Sequence, residues 1–418
     1  MDVRLSRIAE KLGEVASAPD RFTSFGAGKH GYRLNPPLAE SSVAAFEAEH
    51  GIVLPEGYRR FIVELGDGGA GPSYGLLTLT DAYETVSDSF AGHLVEPSPF
   101  VPGTRYARDW WDRFWGPDDR PDPLQGTLAV VHHGCSSYTQ LVVSGPGRGR
   151  LVNVDLNGVP APYVLEDADF LSWYERWLDE LLVGYDVTWF GEKIPGEEAR
   201  LLGILAGDLS PHRRARAARS LPALSVITPT AAEALARAAT DADPLVRAAV
   251  MEVAWRSEVA TVEPAARAAL ADPEALVRAE AIGVLRALGV ADLAERARSL
   301  LADPEGEVRW RAMQALADSG RMVVADLAPL VTGHDARTRE TATFFLVRAQ
   351  GEVYGPLARA LGDEDPTVRR QAVQTAEQRG ERRLLPIMER MLKTETDGHV
   401  RVNLTRVTAA WSVDRPSA

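Results

Sequence analysis

Between about residues 197 and 412 the apolar positions follow a helical spacing, and the whole pattern recurs roughly every thirty residues. In one unit Val277, Ala281, Val284 and Leu285 stand at i, i+4, i+7 and i+8, a stripe that a neighbouring helix must cover. The strings "DADPLVRAAVMEVA", "ADPEALVRAEAIGVL", "ADPEGEVRWRAMQAL" and "DEDPTVRRQAVQTA" belong to a series aligned on Arg247, Arg278, Arg309, Arg339, Arg369 and Arg401, at separations of 31, 31, 30, 30 and 32 residues. Arg214 in "SPHRRARAARSL" lies another 33 residues upstream. Each unit reads as an Ala/Leu-rich helix, a turn and a striped helix, about seven pairs in all. One pair cannot bury its stripe alone, so the units must stack.

Asp241, Asp272, Asp303 and Asp363 each precede their aligned arginine by six residues. Asp272-Pro273 and Asp303-Pro304 are expected to set an N-cap acceptor before a proline in the first helical turn. The arginines suit either a basic track for nucleic acid or an internal ladder bonded to acceptors in the adjacent turn. The strict register favours the ladder, as does the charge of residues 191–418, 31 Lys and Arg against 32 Asp and Glu.

Residues before 190 lack this period. An amphipathic opening helix is followed by "NPPLAESSVAAFEAEHG", with Asn35 as N-cap, Pro36 in the first turn and Gly51 as the stop. In "PEGYRRFIVELG", Tyr58, Phe61, Ile62 and Leu65 form a buried face. Gly66, Gly68 and Gly69 then read as a helix C-cap and a turn needing positive φ, leading into the strand-like "YGLLTL". A phosphate loop would instead join a strand to a helix through a Gly-Lys-Ser/Thr ending, and no lysine occurs between Lys29 and Lys193. The runs "GTLAVVHHG", "TQLVVSG" and "GRLVNVDL" predict an antiparallel meander. A closing helix carries Phe170, Tyr174, Trp177, Leu178 and Leu181 on one stripe.

Charge divides unevenly. Residues 1–190 hold 15 Lys and Arg against 27 Asp and Glu, most of the net −13, a field that repels phosphate backbones and attracts basic partners. The single cysteine, Cys135, makes no internal disulfide and excludes a multi-cysteine zinc site. The charged opening segment argues against a secretory signal, so the sequence predicts a cytoplasmic protein with no membrane partner. No motif calls for a cofactor or metal. His132, His133 and Cys135 invite a thiolate-imidazole reading, but spacing assigns no third orienting group, and a core or turn cysteine is the simpler expectation.

The stretch from Val43 to Leu79, with "FE", "GIVLP", "YRRFI", "GDGG", "GP" and "YGL", resembles the SUKH superfamily. The later "HHGCSSYTQLVVSGPGRGRLVNVD" and "FLSWYERWLDELL" are similar to that family's strands and closing helix, so the resemblance covers about residues 36–183. It implies an α+β domain without shared catalytic chemistry, whose bacterial members are mostly immunity proteins that neutralise toxins, many of them nucleases. The repeats resemble short HEAT-like repeats. The expected fold is therefore an α+β SUKH-like domain, an antiparallel sheet with packed helices, followed by an all-α HEAT-like solenoid. The expected boundaries are a helical extension at 1–35, the SUKH-like domain at 36–185, a linker at 186–196 and the repeats at 197–412.

The functional expectation is a non-enzymatic protein that binds a basic toxin domain. Its alternatives are an adaptor or regulatory scaffold using the HEAT-like surface and, further off, a nucleic-acid-processing enzyme. No nucleic-acid partner is expected. Candidate partner-binding residues come from "RDWWDRFWGPDDRPDP": Trp110, Trp111, Asp112, Trp115, Asp118 and Asp119, where large aromatics stand among acids that would steer a basic partner. The competing reading packs these aromatics onto the core.

Overall fold

Helix α1 (Val3–Ser17) turns Leu5, Ile8, Leu12 and Val15 inward at helical spacing. The computed structural model describes all residues except 1–2, 88–91, 105, 107, 115–121, 158–160, 189, 334 and 414–418. The fold is mostly helical with a small four-stranded antiparallel sheet. The chain divides into two compact units, residues 1–231 and 232–418.

In the first unit α1 is followed by α2 (Glu40–His50), α3 (Glu56–Glu64) and α4 (Leu79–Ser87). The N-cap of α2 is Ala39, not Asn35; Asn35 instead donates its amide to the Asp67 carbonyl, tying the chain to the glycine-rich turn. Gly51 ends α2 in the left-handed conformation, φ 65°. Gly68 and Gly69 have φ of 81° and 96°. Gly66 is needed for a different reason: a Cβ there would lie 2.4 Å from the Asn35 carbonyl oxygen. The run after the glycines makes only isolated bridges, through Leu76 to Gly69 and Val131, before α4 begins.

The sheet runs in the order β1 (Thr127–Gly134), β2 (Ser137–Val142), β3 (Leu151–Asp155), β4 (Tyr163–Val164), each neighbour antiparallel. Its side chains feed two cores. Leu128, Val131, Leu141 and Leu151 join the large cluster with α1, α3 and α5 (Phe170–Leu182). Ala129, Val142, Val152 and Val154 join a second cluster with Phe100, Trp110 and Trp111. Asp169 caps α5 by accepting from the Ser172 N–H, and Arg4 of α1 donates to the same carboxylate. Leu5, Ile8, Leu12, Val15, Phe22 and Tyr32 thus tie the opening segment into the core.

Residues 186–196 are also packed rather than a loose linker: Val187, Phe190 and Ile194 are buried. Lys193 pairs with Glu180 at 2.7 Å, and Arg176 bridges Glu180 and Asp167 while lying over the Phe190 ring. The next helices, α6 (Glu198–Gly207) and α7 (Pro211–Ser220), are fastened to the α+β layer as well. Arg213 pairs with Glu166, and the Ser220 hydroxyl accepts from the Ile194 N–H. The compact unit therefore ends well beyond the expected domain boundary.

From α8 (Pro229–Ala238) onward the chain is all helical: α9 (Pro244–Arg256), α10 (Glu263–Ala269), α11 (Ala275–Ala287), α12 (Leu293–Leu300), α13 (Gly306–Asp318), α14 (Val324–Leu327), α15 (Ala336–Phe345), α16 (Tyr354–Ala360), α17 (Pro366–Arg379), α18 (Leu385–Leu392) and α19 (Gly398–Val413). The second helices of the pairs, α9, α11, α13, α15, α17 and α19, pack side by side in one layer. Val246, Val277, Val308, Val368 and Val400, each one residue before an aligned arginine, are fully buried.

Replacing Gly69 with Ala puts a Cβ about 2.5 Å from the Arg33 carbonyl oxygen at a φ of 96°, and should lower the unfolding free energy by about 2–4 kcal/mol in urea titration. Gly28 faces open space, so Gly28→Ala should change it by no more than about 0.5 kcal/mol.

Candidate functional site

The aligned arginines span successive turns. Five of the guanidinium groups reach back to the carbonyl six residues earlier: Arg247 to Asp241, Arg278 to Asp272, Arg309 to Asp303, Arg339 to Gly333 and Arg369 to Asp363, at 2.7–3.2 Å. They also reach forward into the next turn. Arg247, Arg278, Arg339 and Arg369 donate in bidentate fashion to Asp272, Asp303, Asp363 and Glu395 at 2.7–2.9 Å. Arg309 uses Asp335 and the Thr338 hydroxyl instead. Arg401, in α19, is exposed, and the described residues hold no later turn to supply its acceptor.

This geometry corrects the capping expectation. Asp272 and Asp303 stand two residues before the N-caps Glu274 and Glu305, accepting their backbone N–H groups as well as the arginines. Direct capping falls to Asp243 and Asp365, each followed by the proline that opens its helix. Burial pushes the Asp272 and Asp303 carboxyls up, but bonds from Arg247 and Arg278 and from those N–H groups outweigh it and hold both below the ordinary carboxylate value.

With the ladder arginines turned between repeats, the outer face of the second helices carries other chemistry. The Trp255 indole N–H donates to Glu280 at 2.6 Å, and its ring lies against Gly283, where a Cβ would come within 3.1 Å. Arg311 pairs with Glu280 and sits 5.9 Å from the Trp255 centroid and 5.4 Å from that of Trp310. Trp310 is 38% exposed and Phe344 of α15 is 44% exposed.

In the candidate partner segment the two described tryptophans pack onto the core. Trp110 and Trp111 are only 2% and 1% exposed, because the sheet has a second apolar face and these rings cover it. Their indoles offer a partner no contact area. Asp112 is exposed, while Trp115, Asp118 and Asp119 lie outside the described residues.

Cys135 is exposed at the β1–β2 turn with φ 49°, and His132 bonds its carbonyl oxygen, not its sulfur. His133 is the histidine with buried partners. The Thr139 hydroxyl donates to Asn153 Oδ1 at 2.7 Å, leaving its oxygen to accept the His133 Nε2–H at 2.7 Å. His133 Nδ1 then accepts the Ser73 hydroxyl at 2.8 Å. This is the outline of a nucleophile, base and orienter. Burial, followed by the charge of His132, pushes the His133 pKa down to about 4, too low for an effective base at neutral pH. Ser73 is held at φ 53°, its carbonyl against Gly26, where any Cβ would collide. We read the chain as a lock between the glycine-rich turn and the sheet.

Residues 327–407 match the family of HEAT repeats. The match lies within the helix pairs, and the SUKH likeness of residues 36–183 stays a resemblance. No curated protein matches the chain. Solved structures with similar folds include YibA of Escherichia coli, 18% identical, covering 58% of this chain and 89% of that one with a TM-score of 0.42. Another is the complex of CpcE and CpcF of phycocyanin lyase from Nostoc sp. PCC7120, 18% identical over 52% and 96%, TM-score 0.34. A third is the archaeal HEAT-like repeats protein from Thermococcus onnurineus NA1, 14% identical over 52% and 98%, TM-score 0.36. None of the described helices is long and apolar enough to cross a membrane.

Arg278→Ala strands the buried Asp303 carboxylate and should cost about 3–5 kcal/mol in chemical denaturation. Arg237→Ala, which breaks an exposed pair with Glu233, should cost less than about 0.5 kcal/mol. Folded His133 takes its proton near pH 4, the unfolded ring near 6.5, so the unfolded state binds more protons between these values. The contribution is full above pH 6.5 and falls as pH drops towards 4, by roughly 3 kcal/mol. Denaturation curves of His133→Gln across that window should lack this slope.

Proposed function

We propose that this chain is a protein-binding scaffold, working through the surface of its HEAT-like helix pairs and without catalysis of its own. The observation that carries this reading is the cluster of Trp255, Arg311 and Trp310, with Phe344 nearby in the series, on one layer of packed second helices. Trp and Arg are the side chains that most often dominate binding energy at protein interfaces, and rings already held by neighbours lose little entropy on docking. The arginine ladder ties these helices to the following turns and stiffens the layer.

A narrower reading makes the first unit the antagonist of a basic bacterial toxin domain, with carboxylates standing where a nuclease cleft takes phosphates. The acidic excess of residues 1–190 and the SUKH resemblance support it. Its surface is not Trp110 and Trp111, which are buried. Growth rescue on co-expression with a toxin, weakened complex formation at high salt, and loss of neither with the repeat-face variants below would favour this reading over the scaffold.

The scaffold reading is tested by cross-linked capture with wild type and with the Trp310→Ala/Phe344→Ala double variant as baits. Specific partners of the wild type should bind the variant at least roughly tenfold more weakly, with helicity unchanged by circular dichroism. Equal capture by both baits removes the second-helix face as the docking surface.

A further inference from the structure

Arg216 stands apart from the arginines around it. On the same helix, Arg213 pairs with Glu166 and Asp208, and the ladder arginines take carboxylates or a hydroxyl. Arg216 is half-buried, its guanidinium 3.1 Å from the Tyr163 ring centroid, and among the described residues it has no ion-pair partner. Stacking fixes the plane of the guanidinium and leaves its N–H edges for a planar acceptor. A half-buried cation without an acceptor is costly unless something supplies one.

What those edges border is a cavity of about 160 Å3 in the first unit, whose wall also includes Tyr138, Asp155 and Glu192. The Asp155 carboxylate is unevenly engaged. Its Oδ1 accepts the Ser136 hydroxyl at 2.6 Å and the Asn157 N–H at 2.8 Å, whereas Oδ2 has only a long 3.5 Å contact from Ser137. Glu192 is exposed at the cavity and has no ion-pair partner among the described residues. The Asn153 side chain, held by the Thr139 hydroxyl that His133 in turn bonds, lines the cavity as a neutral wall. Gly191 presses so close to it that a Cβ would meet Asn153 Nδ2 at 2.3 Å. One stacked guanidinium and two carboxylates thus line one small cavity.

A ligand that satisfies both signs must carry both. We propose that the cavity binds a free α-amino acid, its carboxylate on Arg216 and its ammonium on Asp155, with Glu192 favouring a basic side chain. A single added carboxylate would face two like charges, and a simple amine would leave Arg216 unmatched. Lysine, bringing two cations and one anion, complements the one cation and two anions of the wall.

Calorimetric titration of the full chain tests this, with lysine, leucine and glutamate, and with 1,5-diaminopentane and Nα-acetyl-lysine as analogues lacking one recognised charge. Lysine should bind saturably, and glutamate and both analogues at least roughly tenfold more weakly. Arg216→Gln should weaken lysine binding at least tenfold, and Arg216→Lys, which keeps the charge but loses the planar fork, should not restore it fully. Glu192→Gln, at an exposed position, should narrow the preference for lysine over leucine. The proposal is overturned if no amino acid binds the folded chain up to about 10 mM, or if Arg216→Gln binds lysine unchanged. Should Arg216→Gln fail to fold, an undiminished lysine preference in Glu192→Gln overturns it equally.

Discussion

A guanidinium shared between two successive turns is the contact on which the repeat half depends. Each such arginine is mostly withdrawn from water, so it must find acceptors for its planar fork, and the structure supplies them from two places at once. The carbonyl six residues back fixes the arginine to its own turn, and the carboxylate about 25 residues ahead fixes it to the next. An insertion in either helix of a pair would move one acceptor and strand the other. This accounts for separations held to 30–32 residues between arginines while the apolar residues around them vary.

The first unit meets the same demand with different parts. Its sheet is apolar on both faces, so one layer of helices is not enough. Helices α1, α3 and α5 cover one side, and Phe100, Trp110 and Trp111 cover the other. Three buried charges and Arg176 form one paired network here: Arg176 with Asp167 and Glu180, and Lys193 with Glu180. Because Lys193 lies in the connection to the first helix pair, this network pulls that connection into the core. The α+β layer and α6–α7 consequently behave as one packed body.

The ladder arginines face acceptors inside the stack, and the packing leaves other side chains unused: Trp310 and Phe344 are exposed on the second helices, and Arg216 and Glu192 line the cavity. The neutral His133, bonded on both sides, holds the glycine-rich turn to the sheet rather than moving protons.

Much of this was legible along the chain, where the relevant partners are near in sequence or repeat at a fixed interval. Helical spacing marks Val277 to Leu285, the arginine period marks the stacked pairs, and Gly51, Gly68 and Gly69 declare left-handed backbone because other residues resist it. Local capping was less legible, since Asp272 and Asp243 look alike until the partner of each is seen. What no local pattern carries is which apolar surface covers which. Trp110 and Trp111 read equally well as a docking site or a lid until the sheet's second face needs covering. The Ser73–His133 bond joins residues 60 apart, and Arg216 meets Tyr163 across 53. Periodicity and backbone sterics act within a few residues and so leave their mark in sequence, whereas burial and charge pairing between distant segments depend on where the folded chain brings them, and only the tertiary structure decides that.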